Sequence, residues 1–175
     1  MHRLPPRPTL THFPYPVSRV FPGFTGPRLV QPNTRVTWHP GTAGSEPMFC
    51  ALIVDDHAGF RGSLSGLLRK RFPDIRVEEA ADGAEVRRAI GSLAVQLVLM
   101  DVSLPGESGI ELTRVIKTSV EDVTIVILTG HDLPQYRQAA FRNGADCFLY
   151  KGSPSCTADV VARVEGARRA YETMH

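Results

Sequence analysis

The sequence predicts one doubly wound α/β domain, in which five short strands form a parallel sheet and each strand is followed by an amphipathic helix. Three observations carry this. The runs Phe49–Val54, Val95–Met100 and Thr124–Leu128 are short, continuous and apolar, as strands buried on both faces of a parallel sheet must be. Between the apolar runs, large apolar residues recur at helical spacing. The alternation repeats five times after Met48, and the ~125 residues involved suit one α/β domain.

Each element has its own signal. After the first run, Phe60, Leu64, Leu67 and Leu68 fall at i, i+4, i+7 and i+8, which places them on one helical face. A weaker strand over Ile75–Glu79 is followed by Val86, Ala89, Ile90 and Leu93 at i, i+3, i+4 and i+7. The third strand, Val95–Met100, leads to a helix marked by Leu112, Val115 and Ile116. The fourth leads to a poorer one marked by Tyr136 and Ala140 and stopped by Asn143-Gly144, a pair suited to a left-handed helix end. A weak fifth strand over Asp146–Tyr150 precedes a helix marked by Val160, Val164, Ala167 and Tyr171.

Composition narrows the class. Hydrophobic residues make up 42% and charged residues 22%, ordinary values for a globular protein, and a net charge of +2 gives no global basic field for nucleic acid. The first 47 residues differ from the rest. They hold ten of the 14 prolines, five Arg and one acid, Glu46, leaving 15 basic and 17 acidic residues beyond them. Prolines this frequent exclude regular helix and central strand, so residues 1–47 are expected to be a disordered extension or the product of an upstream start choice. Met48 stands directly before the first strand and opens the expected domain, residues 48–175. No apolar run reaches the ~18–20 residues that a membrane span needs. The three cysteines, Cys50, Cys147 and Cys156, lack metal-ligand spacing, and two lie in apolar runs; buried reduced thiols and a cytoplasmic location are expected.

Ligands of such sheets bind at the carboxyl ends of the strands, near the point where strand order reverses. Strand one ends in Asp55-Asp56, strand three in Asp101, strand four in Thr129 and strand five in Lys151. Three carboxylates, a hydroxyl and an ammonium thus share one edge. Carboxylates ~4–5 Å apart repel by roughly 1–4 kcal/mol per pair at effective dielectrics of 20–80. A hard divalent cation offsets this, and Mg²⁺ binds through one or two carboxylates plus a phosphate oxygen. A carboxylate beside Mg²⁺ can attack phosphorus to give an aspartyl phosphate, with the metal and a lysine neutralising the transferring oxygens.

These residues also carry a family resemblance. Ile53-Val54-Asp55-Asp56-His57 with Phe60-Arg61 resembles the opening of receiver domains in the NarL/FixJ class of response regulators. Leu99-Met100-Asp101-Val102-Ser103-Leu104-Pro105-Gly106, followed by Gly109-Ile110-Glu111-Leu112, is similar to their phosphoacceptor loop and the helix after it. Ile127-Leu128-Thr129-Gly130-His131 resembles the switch-threonine segment, and Gly144-Ala145-Asp146-Cys147-Phe148-Leu149-Tyr150-Lys151 the last strand with its lysine. The resemblance implies a flavodoxin-like sheet of order 2-1-3-4-5 with five helices. It implies Asp101 as phosphoacceptor, with Mg²⁺ held by Asp55, Asp56, Asp101 and the backbone carbonyl of Ser103. Lys151 would pair with the phosphoryl oxygens, Thr129 would swing to hydrogen-bond them, and Phe148 would rotate inward.

There are departures. Gly152 follows Lys151 where many receivers have proline, and Phe148 lacks the hydroxyl of the tyrosine common at its position. Ser103 and Gly130 are both small and leave the acceptor accessible. The expected role is two-component signalling rather than metabolic catalysis. A sensor histidine kinase or phosphotransfer protein would supply the phosphoryl group, and a downstream effector protein would read the switch. Because the sequence ends directly after the fifth helix, direct DNA binding is not expected. A homodimer through that helix, which carries Arg163, Arg168 and Arg169, is compatible. Two other readings are a receiver-like binding module that is not phosphorylated and a Mg²⁺-dependent phosphohydrolase. The latter wants a second Asp where Ser103 stands.

Overall fold

The computed structural model describes residues 48–174. The extension expected over residues 1–47 lies outside the described residues, as does His175. Five parallel strands form the sheet: β1 (Cys50–Val54), β2 (Arg76–Ala80), β3 (Leu97–Met100), β6 (Thr124–Thr129) and β7 (Cys147–Tyr150), in the order β2-β1-β3-β6-β7. Counting these five alone, the order is the expected 2-1-3-4-5. Two further strands, β4 (Ser103–Leu104) and β5 (Glu107–Ser108), form a small antiparallel hairpin immediately after Asp101. That hairpin is not announced by the sequence pattern. It turns on Pro105 and on Gly106, whose φ of 81° suits a residue without Cβ.

Five helices cover the sheet: α1 (Ala58–Arg71), α2 (Gly83–Ser92), α3 (Gly109–Ser119), α4 (Pro134–Arg142) and α5 (Cys156–Met174). The period-two alternation of each strand divides the core. Leu52, Val54, Val98, Met100, Ile125 and Ile127 pack on one side against Val86 of α2, Leu112 and Ile116 of α3 and Ala140 of α4. Ala51, Ile53, Leu97, Leu99, Val126 and Leu128 point the other way, against Leu64 and Leu68 of α1 and Val160 and Val164 of α5. Both faces of the central strands are therefore buried, which is why their sequences read as unbroken apolar runs.

Helix ends follow local chemistry. The Asp82 carboxylate accepts from the Glu85 N–H at 2.8 Å, while the Glu85 carboxylate accepts from the Ala81 N–H at 2.7 Å; this reciprocal arrangement starts α2. Helix α1 contains Gly59, Gly62 and Gly66, each costing about 1 kcal/mol of helix propensity relative to alanine. Tertiary burial of Leu64 and Leu68 and the basic last turn of Arg69, Lys70 and Arg71 hold it instead. Gly144, with φ of 94°, ends the segment after α4 as Asn143-Gly144 predicts. The three cysteines are free and buried. Among the described residues no helix is long and apolar enough to cross a membrane.

Candidate functional site

Strand order reverses between β1 and β3, because β1 leads outward to β2 on one side and the chain then crosses back to β3. Asp55 follows β1 and Asp101 follows β3, so the two flank the reversal; the Asp101 N–H donates to the Val54 carbonyl at 2.8 Å and locks them side by side. One carboxylate oxygen from each of Asp55, Asp56 and Asp101 lies within 4.8 Å of the other two. Asp55 and Asp101 are buried, at 2% and 6% exposure, and Asp56 opens to solvent.

Lys151, directly after β7, reaches across the edge. Its Nζ donates to Asp55 Oδ2 at 2.5 Å and lies 3.1 Å from Asp101 Oδ1. It also sits 4.6 Å above the Phe60 ring, so an aromatic face from α1 steadies the ammonium. Thr129 ends β6 and is fully buried, with Oγ1 accepting from the His131 N–H at 3.2 Å; the Lys151 N–H donates to the Thr129 carbonyl at 2.8 Å. Phe148 is buried, with its ring under the Arg137 guanidinium at 4.7 Å.

The two buried carboxylates are satisfied unequally. Asp55 accepts from the His57 N–H at 2.9 Å as well as from Lys151. Asp101 Oδ2 accepts a long contact from the Ser103 N–H at 3.3 Å, while its buried Oδ1 faces the Lys151 ammonium at 3.1 Å, which it shares with Asp55. Burial pushes the Asp101 carboxyl above the ordinary aspartate range; the Lys151 charge pulls it back, and Asp55 pushes it up again. Three clustered carboxylates sharing one ammonium, with oxygen as the only ligand atom type in the cluster, suit a hard cation such as Mg²⁺. The donor set fits.

Supporting residues emerge that carried no role in the sequence. His57 caps α1, its Nδ1 accepting from the Phe60 N–H at 3.0 Å. Arg61 donates to the Asp55 carbonyl at 2.6 Å and pairs with Glu79 of β2 at 3.3 Å, tying the acidic loop to the sheet. Asp101 and Thr129 are not helix caps: Ser108 caps α3, and Leu133 precedes α4 without a side-chain cap. On α5, Arg163 and Arg169 are exposed, Arg169 pairing with Glu165, while Arg168 is engaged by Asp74 and Glu172.

Comparison with known proteins agrees with this geometry. Residues 51–164 match the response regulator receiver domain. The oxygen regulatory protein NreC of Staphylococcus carnosus is 36% identical over 104 residues, covering 59% of this chain and 48% of NreC. The chain thus spans about half the length of the curated relatives it matches. A LuxR-family two-component response regulator from Aurantimonas sp. SI85-9A1 is 33% identical, with a TM-score of 0.62, over 68% of this chain and 84% of that one. The response regulator protein TrrA of Thermotoga maritima, solved in complex with Mg(2+)-BeF, is 25% identical, with a TM-score of 0.60, over 69% and 99% of the two chains.

Proposed function

Because this chain belongs to the response regulator receiver family, we propose that Asp101 accepts a phosphoryl group and that residues 48–175 act as the receiver of a two-component system in the cytoplasm. The buried Asp101 carboxylate, clustered with Asp55 and Asp56 and faced by Lys151, carries the reading. An Asp101 oxygen attacks phosphorus, and the bond from phosphorus to the donor breaks, whether that donor is a phosphohistidine of a sensor kinase, a phosphotransfer protein or a small acyl phosphate. Lys151 already faces Asp101 and is placed to take up the charge of the transferring oxygens. Asp55, Asp56, Asp101 and the Ser103 carbonyl would hold Mg²⁺, which supplies further charge neutralisation when bound. The 25% identical TrrA, solved in complex with Mg(2+)-BeF, supports that choice of cation.

Thr129, next along the sheet edge, would then hydrogen-bond the new phosphoryl oxygens, giving up its bond from the His131 N–H. Phe148 and Arg137 lie where that movement is passed to α4, and a downstream effector protein would read the altered surface.

Incubation of the full chain with acetyl phosphate and Mg²⁺, followed by intact-mass measurement, tests the proposal. A single phosphoryl adduct on the wild type, absent from Asp101→Ala and after EDTA, is expected. No adduct at saturating donor, with the fold intact, sinks it in favour of a binding module. Turnover of a phosphate ester that persists in Asp55→Ala sinks it in favour of a hydrolase.

A further inference from the structure

The β4–β5 hairpin carries Ser103, whose N–H touches Asp101 and whose carbonyl belongs to the proposed metal site. A hairpin of two residue pairs does not hold its own position in water. Leu104 anchors it in the core, and the Gly109 N–H donates to the Val102 carbonyl at 2.9 Å at its base. The remaining anchor comes from elsewhere. Glu107 of β5 receives a two-pronged grip from Arg87 of α2, Nη1 to Oε1 at 2.6 Å and Nη2 to Oε2 at 2.7 Å. Both side chains are only about a quarter to a third exposed (31% and 25%), so the pair is shielded better than a surface ion pair. A forked arginine–carboxylate contact fixes orientation as well as supplying energy.

The fit is tight. A Cβ on Gly83, the first residue of α2, would lie 1.6 Å from Glu107 Oε1 and 2.8 Å from Arg87 Nη1. The carboxylate therefore sits in the notch that this glycine leaves. Glu107 pairs with Leu104 and its neighbour Ser108 with Ser103, so a displacement of Glu107 passes along the ladder to Ser103.

We infer that the Arg87–Glu107 pair, seated on Gly83, positions the phosphoacceptor hairpin and thereby sets the Mg²⁺ affinity of the acidic site. Arg87 touches neither Asp101 nor the other carboxylates of the cluster and acts as a positioning residue. The inference rests on the reading of Asp101 as a Mg²⁺-assisted phosphoacceptor, and it deepens that reading by bringing α2 into the site.

Gly83→Ala is the discriminating variant, because it unseats the pair while keeping both charges, and alanine is the better helix former. Titration of the full chain with Mg²⁺ by calorimetry should show affinity reduced roughly 10-fold in Gly83→Ala, Arg87→Ala and Glu107→Ala, the low end for residues that orient metal ligands from outside the first shell. Adduct formation from acetyl phosphate at subsaturating Mg²⁺ should slow by the same factor and recover as Mg²⁺ is raised. The Arg87→Ala/Glu107→Ala double variant should be no weaker than either single one, since the two act as one unit. Arg87→Lys, which keeps charge but loses the fork, should fall between. The melting temperature of Gly83→Ala should be unchanged or higher. Variants that bind Mg²⁺ within about twofold of a competent wild type overturn the inference alone, as that lies below the effect expected of such residues. Single effects that add in the double variant overturn it too. A wild type that binds no Mg²⁺ overturns the reading of Asp101 and this inference together.

Discussion

Replacing Asp101 by Asn should make the metal-free protein more stable, and the size of the effect follows from the site. At an effective dielectric of 20, Lys151 at 3.1 Å attracts the Asp101 carboxylate by about 5 kcal/mol. Asp55, within 4.8 Å, repels it by about 3.5 kcal/mol or more, and exposed Asp56 adds about 1 kcal/mol in water-like surroundings. Attraction and repulsion nearly cancel. The cost of burying the charge then decides the sign, in keeping with burial as the leading cause of the raised Asp101 pKa. Asn keeps the shape and the acceptor for the Ser103 N–H, removes the charge, and leaves Lys151 its bond to Asp55. A gain of about 1–2 kcal/mol is expected at pH 7, which is roughly 3–6 °C in melting temperature for a domain of this size.

The pH dependence has a definite sign. The folded-state pKa of Asp101 is raised, so between the unfolded value and the folded one the folded protein holds a proton that the unfolded chain has released. Wild-type stability from this group is therefore fully present below the ordinary aspartate range near ~4 and is lost as pH rises through the folded pKa. The advantage of Asp101→Asn should be small at pH 4 and open upward. Saturating Mg²⁺ should reverse the ranking, because only the wild type gains the linkage energy of about 2.7 kcal/mol at 100-fold over its dissociation constant. Thermal melts from pH 4 to 8, in EDTA and in Mg²⁺, measure all of this. A variant less stable than wild type in EDTA at pH 7, or a gap that widens on acidification, refutes the reasoning.

Lys151→Ala leaves Asp55, buried to 2% exposure, without its cation, and should cost about 3 kcal/mol in urea denaturation, largely recovered with Mg²⁺. Gly109→Ala places a Cβ 1.8 Å from the Asp101 carbonyl oxygen, a backbone atom that cannot step aside; about 3 kcal/mol of destabilisation is expected in the same assay. Burial pushes the Cys50 thiol up to about 11, so at pH 8 iodoacetamide should label it only as fast as the fold opens, whereas denatured protein labels at once. Rapid Cys50 labelling under native conditions, located by peptide mapping, would contradict that burial.

Much of the fold is legible because burial on both sheet faces writes itself into the strands. Apolar runs do not mark strand ends, however: β3 begins at Leu97, two residues inside the run from Val95, and β2 at Arg76, after Ile75. Both preceding residues are buried, as loop residues turning into the core. The β4–β5 hairpin left no such trace, since Ser103-Leu104-Pro105-Gly106 reads only as a turn. In the site, Asp55, Asp101, Thr129 and Lys151 were legible because parallel strands deliver all their carboxyl ends to one edge. Arg87 and Glu107 were not. They lie 20 residues apart on different elements, and no local period links them. His57 was equally hidden as a cap, because imidazole is not among the side chains preferred at helix starts.

The site's charges are left unbalanced among the described residues. Asp55, Asp56 and Asp101 with Lys151 sum to −2, a deficit that one divalent cation brings to zero. Lys151 divides itself between two buried carboxylates: its Nζ donates to Asp55 at 2.5 Å and lies farther, 3.1 Å, from Asp101 Oδ1, so one ammonium serves two charges. A site selected for stability alone would place an amide at position 101 or bring in a second cation. Either change would remove the nucleophile or block the approach of a phosphoryl donor. The buried, incompletely neutralised Asp101 carboxylate is thus the feature that costs stability and also the one on which the proposed chemistry depends, so Asp101→Asn should stabilise the fold and abolish adduct formation together.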